Sequence, residues 1–211
     1  MRRNQRKKLA KEDVTTKSLF DIKATIAREF FERSIYPFEV LPGISDIIKS
    51  LSEEFRNEYE EVDCGIFIHK NAIISKSAVI KGPCIICENA EIRCGAYIRG
   101  NAIIGKSCVV GNSTEIKNSV LFDGAKAPHF NYVGDSVLGK NAHLGAGVIC
   151  SNLRLDGKTV FIKTKNGSIA TDLRKVGAFL GDGAEIGCNS VLNPGCVVKR
   201  GEKVLPLSNV F

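Results

Sequence analysis

His129 stands in the stretch LFDGAKAPHFNYVGD (residues 121–135), with Lys126 before it and Tyr132 after it. An imidazole titrates near neutrality, so a histidine can take a proton from an attacking nucleophile. Arg99 and Lys117 lie 18 residues apart. In a chain that coils with that period they stack side by side and form a clamp for a phosphate or a carboxylate. Two solvated surface cations are the plain alternative. Eight cysteines add one CxxC, Cys84 with Cys87, whose spacing is that of a zinc ligand pair.

What positions these residues is a repeat. Ile68, Ile74, Ile80, Ile86, Ile92, Ile98, Ile104, Val110 and Ile116 are nine aliphatic residues at a strict spacing of six. Two positions before them come Ala72, Ala78, Cys84, Ala90, Ala96, Ala102 and Cys108, all small. The pattern returns at Leu138 and Leu144, and again at Leu180, Ile186, Leu192 and Val198. No α-helix has a period of six, and simple strand alternation does not keep one residue type on every sixth position. A coil with three flat sides does: each hexapeptide makes a short strand and a corner, and the coils stack in parallel so that each buries its neighbour. The fold class is therefore mainly β, a parallel β-helix of hexapeptide repeats. Cys84, Cys108 and Cys196 take the small core slot and Cys150 the aliphatic one, as small hydrophobes. Cys84 and Cys87 then point to opposite sides of a strand, so no metal site is expected. His69 and His143 take outward slots on regular strands, which makes them ordinary surface residues.

Ahead of the repeat, apolar residues at helical spacing over 18–35 (Leu19, Phe20, Ile22, Ile26, Phe30, Phe31) and 44–57 (Ile44, Ile47, Ile48, Leu51, Phe55) predict two helices, the first opened by a Ser18–Asp21 capping box. YPFEVLPG is the turn between them. The organisation expected is a basic tail and helical lead-in over 1–62, which caps the open first coil, followed by the β-helix over 63–204. Insertions fall at 123–131, where the register slips, and at 153–176, where TVFIKT, Asn166–Gly167 and SIATDL form a hairpin. Residues 1–11 hold six of the 30 basic side chains, and the remainder is nearly neutral with 24 basic and 23 acidic. A solvated terminus explains that tail better than a nucleic-acid arm, since no aromatic is interleaved. With no apolar run of membrane-spanning length and no signal peptide, the expectation is a cytoplasmic protein without a membrane partner.

The stretch GNSTEIKNSVLFDGAKAPHFNYVGDSVLGKNAHLGAGVICSNLRLDGKTV resembles the acetyltransferase half of the bifunctional sugar-1-phosphate acetyltransferase/nucleotidylyltransferases that make UDP-N-acetylglucosamine, and RKVGAFLGDGAEIGCNSVLNPGCVV is similar to their archaeal-type members. The resemblance spans roughly residues 95–200. It implies a left-handed β-helix that forms a homotrimer. Handedness rests on the resemblance alone, because parallel crossovers are otherwise right-handed. It further implies that His129, in the KAxHxxYxGD motif, is the general base. That base deprotonates the amine of an amino-sugar 1-phosphate, glucosamine-1-phosphate above all, for direct attack on acetyl-CoA. Arg99 and Lys117 would hold the phosphate, with Glu115, Tyr132, Asn141 and Asn152 around the sugar. Lys158 would reach the phosphate of a neighbouring subunit, and the backbone near Ala146 and Cys188 would face acetyl-CoA. Acetyl transfer of this kind requires no metal. Two departures from the family stand out. A helical segment of about sixty residues replaces the nucleotidylyltransferase domain, so the uridylyl step is not expected of this chain. A shorter run after Val198 would trim the acetyl-CoA wall.

Three other readings compete. A hexapeptide acyltransferase with another amine or hydroxyl acceptor would keep the coil and lose the phosphate clamp. A γ-class carbonic-anhydrase-like metalloenzyme needs three converging histidines, and His69 lies coils away from His129. A non-catalytic trimeric scaffold would bind a partner through its helices or tail.

Overall fold

The computed structural model describes residues 9–211, so most of the basic tail lies outside the described residues. From Ile66 to Val210 the chain winds as a parallel β-helix with seven strands on each of its three sides. The first face carries Cys84–Ile86, Ala102–Ile104, Ser119–Leu121, Val137–Leu138, Phe179–Leu180 and Val197–Val198. Val109–Asn112, Lys126–His129 and His143–Leu144 lie on the second face, and Tyr97–Ile98, Glu115–Lys117, Tyr132–Gly134 and Ile149–Cys150 on the third. The aliphatic and small repeat residues fill the interior as one column, from Ile66 to Val210. Asparagines at corners (Asn89, Asn118, Asn141, Asn189) adopt left-handed backbone with φ between 47° and 56°, a conformation Asn tolerates better than most residues.

The structure departs from the expected insertion at 123–131. Lys126–His129 is a regular strand, with Lys126 paired to Val109 and to His143 in parallel register. What changes is the pitch: Leu121 pairs with Ile104 and Val133 with Ile116, 17 residues apart, where Ile98 and Ile116 are 18 apart. One residue is lost at the corner of Asn118 and another at that of Asp135, both in left-handed turns. Ala127 occupies the aliphatic slot, which hid the register in the sequence. Residues 153–176 do leave the coil, as the antiparallel pair Phe161–Thr164 and Gly167–Ala170.

The lead-in also differs from expectation. Only Ile44–Glu54 is a sustained helix; residues 18–35 break into Thr16–Leu19, a 3-10 turn at Ile22–Ala24, and Arg28–Arg33. Thr15, rather than Ser18, accepts the capping bond, from the N–H of Ser18. The helix gives way because its backbone is claimed by coil corners. Asp182 N–H donates to Leu19 O at 3.0 Å, Asp123 N–H donates to Ala24 O at 2.9 Å, and Asp21 N–H donates to Asp182 Oδ2 at 2.6 Å. The segment therefore lies along the first face instead of plugging its end. It runs from Asp13, paired with Lys199 at 2.7 Å, back to the helix Ile44–Glu54 over the strands Cys84–Ile86 and Ala102–Ile104. It covers an outward row of Ile85, Ile103, Val120, Val137, Phe179 and Val197, one per coil, each no more than 1% exposed. Phe122 packs between Phe20 (5.0 Å) and Phe31 (4.9 Å). Each such buried side chain contributes about 1.5–3 kcal/mol.

The first coil's edge is closed by Tyr59–Asp63, antiparallel to Ile66–His69. This strand buries two side chains read from the sequence as outward-facing. His69 lies edge-on to Tyr59 at 5.4 Å and is 6% exposed, and Cys87 is 1% exposed against the Tyr59 hydroxyl. Burial pushes the thiols of Cys84, Cys87 and Cys150 up to about 12. In the native protein a thiol reagent at neutral pH is expected to modify Cys64, Cys94 and Cys188 rapidly. The five buried cysteines should react only on denaturation. Fast native labelling of more than three thiols would contradict this packing.

Candidate active site

On the third face Glu115 pairs with Tyr97 and with Tyr132, so the residues after them, Arg99, Lys117 and Gly134, share the next outward slot. Arg99 Nη1 meets Glu115 Oε1 at 2.9 Å, which raises the guanidinium further above its usual range. Lys117 Nζ lies 3.0 Å from Asp135 Oδ2; the two side chains are 23% and 5% exposed. Asp135 also accepts hydrogen bonds from Nδ2 of Asn118 and Nδ2 of Asn152. Asn152 Nδ2 donates in addition to the Tyr132 hydroxyl at 3.1 Å. Burial raises the Tyr132 pKa. The phenol therefore keeps its proton and, with its oxygen satisfied by Asn152, has that proton free for a ligand oxygen. Gly134 makes the arrangement fit. A Cβ there would stand 2.6 Å from the Tyr132 hydroxyl and 2.7 Å from Asn152 Nδ2.

His129 ends its strand at the corner that leads onto this face, three residues before Tyr132, with its side chain exposed. The backbone there is tied down tightly. His129 N–H donates to Asn131 Oδ1 at 3.2 Å, Asn131 Nδ2 donates to Gly145 O at 2.8 Å, and Gly147 N–H donates to His129 O at 3.1 Å. The same corner carries Ala146, whose carbonyl accepts from Asn189 N–H at 2.8 Å, and the exposed Cys188. Two of the sequence-selected residues stand elsewhere within one chain. Asn141 lies on the corner between the first and second faces, its N–H donating to Asp123 O at 3.0 Å. Lys158 is exposed on the arm that leaves the coil after Asn152, its N–H donating to Asp156 Oδ1 at 3.2 Å. At the foot of that arm Leu153, Arg154, Phe161, Pro194 and Phe211 line a groove of about 550 Å³. Sequence reading passed over Asp135, Gly134 and Asn131 as site residues, although all three stand in the stretch around His129.

These coils are hexapeptide-repeat coils that carry a cationic, hydroxyl-bearing cluster on one face and an exposed His129 at the corner leading onto it. Within that class, somewhat less than half of the chain is similar to proteins named as sugar-1-phosphate acetyltransferases or as bifunctional GlmU. It is 41% identical over 103 residues to bifunctional protein GlmU of Methanococcus maripaludis, covering 43% of this chain and 25% of that protein. It is 39% identical over 97 residues to the bifunctional sugar-1-phosphate nucleotidylyltransferase/acetyltransferase of Sulfurisphaera tokodaii, covering 46% of this chain and 24% of that protein. The matches thus span about a quarter of the length of these relatives. Residues 80–167 match the family described as GMPPB C-terminal domain. Among solved structures, a hexapeptide transferase family protein from Anaplasma phagocytophilum is similar at 22% identity and a TM-score of 0.44, covering 69% of this chain and 77% of that one. No helix among the described residues is long and apolar enough to cross a membrane.

Proposed function

We propose that the chain is a cytoplasmic, acetyl-CoA-dependent N-acetyltransferase whose acceptor is an amino sugar carrying a 1-phosphate, with glucosamine-1-phosphate the foremost candidate. The observation that carries this reading is the single face that joins Arg99 and Lys117 to Tyr132 and Asn152 beside His129. The similarity to proteins named as acetyltransferases supports it. Arg99 and Lys117 bind the phosphate, exchanging their carboxylate partners for its oxygens. Tyr132 donates to a sugar oxygen, while Glu115 and Asn152 hold the ring in register, so the amine meets the thioester as an oriented pair.

His129 takes the proton from the amine as the nitrogen attacks the thioester carbonyl carbon. The carbonyl oxygen becomes an oxyanion, held by backbone N–H groups near Ala146 and Cys188. The C–S bond then breaks as the oxyanion collapses, and the imidazolium returns its proton to the departing thiolate. The products are the N-acetylated sugar phosphate and coenzyme A. Asn141 and Lys158 sit away from the cluster in one chain, so their roles are assigned to a neighbouring subunit of a homotrimer.

The test is thiol release from acetyl-CoA with a panel of amino-sugar 1-phosphates and their unphosphorylated sugars. Turnover is expected only with the phosphorylated acceptors, from a particle of three subunits by light scattering. No release with any member of the panel would sink the assignment, and equal rates with free sugars would favour a different acceptor. A monomeric active enzyme would remove the subunit-shared roles of Asn141 and Lys158.

A further inference from the structure

Lys81, Arg99 and Lys117 form one row over three coils. Val79 pairs with Tyr97 and Ile80 with Ile98, and these pair in turn with Glu115 and Ile116. Lys81 N–H donates to Ile98 O and Arg99 N–H to Ile116 O, each at 2.8 Å, so the three cations hold the same outward slot. Each step between coils is about 4.8 Å.

The charges along the row are uneven. Arg99 is held by Glu115 and Lys117 by Asp135, and those four groups sum to zero. Lys81 has no carboxylate within ion-pair distance among the described residues; its Nζ sits 5.8 Å from the centroid of the Tyr97 ring. The positive charge of the row in excess of its own carboxylates is therefore that of Lys81. From Lys117 to Lys81 is two steps, about 9.6 Å. One phosphate reaches two adjacent members of such a row, whereas two linked phosphates reach all three.

We propose that the acceptor site continues over Arg99 to Lys81 and binds a second phosphate, so that besides an amino-sugar 1-phosphate it takes the nucleoside-diphosphate form, in which that 1-phosphate is joined to a nucleoside monophosphate. This rests on the reading of Arg99 and Lys117 as the clamp of the first phosphate. Lys81 is a specificity-determining residue in this arrangement and takes no part in bond making. The attacking amine and the proton path are those already given.

The experiment compares binding of UDP and of glucosamine-1-phosphate by calorimetry in the wild type, Lys81→Ala and Lys81→Arg. Thiol release is measured in parallel with UDP-glucosamine and glucosamine-1-phosphate. Loss of a charge-assisted contact should weaken UDP about tenfold or more in Lys81→Ala, leave glucosamine-1-phosphate within about twofold, and be recovered by Lys81→Arg. Equal weakening of both ligands, or no weakening of either, would overturn the proposal. If neither acceptor releases thiol but the Lys81 effect on UDP remains, the second-phosphate site stands and the acetyl-transfer reading falls.

Discussion

His129→Ala is expected to lower the rate of acetyl transfer by about 10²–10⁴-fold, the usual contribution of a positioned general base. The KM for either substrate should move little. The reason is geometric. The His129 side chain is exposed, whereas its main chain is fixed from two sides by Asn131 and Gly147. Truncation at Cβ therefore removes the imidazole and leaves the corner, the third face and the phosphate cluster as they are. Because the fold is not at issue, the same three thiols should label before and after the substitution. Added imidazole should restore part of the rate by occupying the vacated space. A variant within about threefold of wild type would show that proton removal does not limit the reaction or is done by another group.

Asp135→Ala is expected to damage stability and acceptor binding together. The carboxylate is 5% exposed and is the common acceptor for Lys117 Nζ, Asn118 Nδ2 and Asn152 Nδ2. Its removal leaves one cation and two amide donors without their partner in a largely dry corner. Breaking a fully buried pair costs about 3–5 kcal/mol. Lys117 retains some solvent, so about 2 kcal/mol is the better expectation here. That corresponds to a fall in Tm of roughly 4–8 °C in a chain of this size. Lys117→Ala should separate the two effects: it keeps Asp135 with its two amides and costs less stability, but raises the acceptor KM strongly because the phosphate loses a cation. Equal melting temperatures for wild type and Asp135→Ala would remove Asp135 from its place at the centre of the cluster.

Much of this was legible in the sequence, for definite reasons. The interior column could be read because each coil demands an aliphatic residue at a fixed place, and Ile68 through Ile116 supply it without exception. The pairing of Arg99 with Lys117 followed from the same period. The irregular stretch around His129 reads as an insertion because three deviations coincide: Ala127 in an aliphatic slot and two five-residue corners at Asn118 and Asp135. The placement of the lead-in has a signal of its own in the sequence. Ile85, Ile103, Val120 and Val137 recur at 17 or 18 residues on an outward slot as an unbroken apolar row, which the other faces interrupt with Glu91, Glu115 and Lys126. An apolar residue once per coil marks a face that something covers. The tie between Asp135 and Asn152 has no such local signature, since it spans 17 residues and depends on the shortened pitch.

A stack of coils ordinarily unfolds like a zipper, because each repeat feels only its neighbours and the ends fray first. The N-terminal segment here bonds to Asp123 and Asp182, pairs with Lys199 and lays the helix Ile44–Glu54 over Cys84–Ile86 and Ala102–Ile104, so it touches coils from near one end of the stack to near the other. Opening any one of those coils therefore breaks contacts that the segment shares with the others, and the free-energy cost of local opening is spread over the whole length. Unfolding is therefore expected to be one cooperative transition, as in a globular domain, in a molecule that keeps the straight, regular faces of a solenoid.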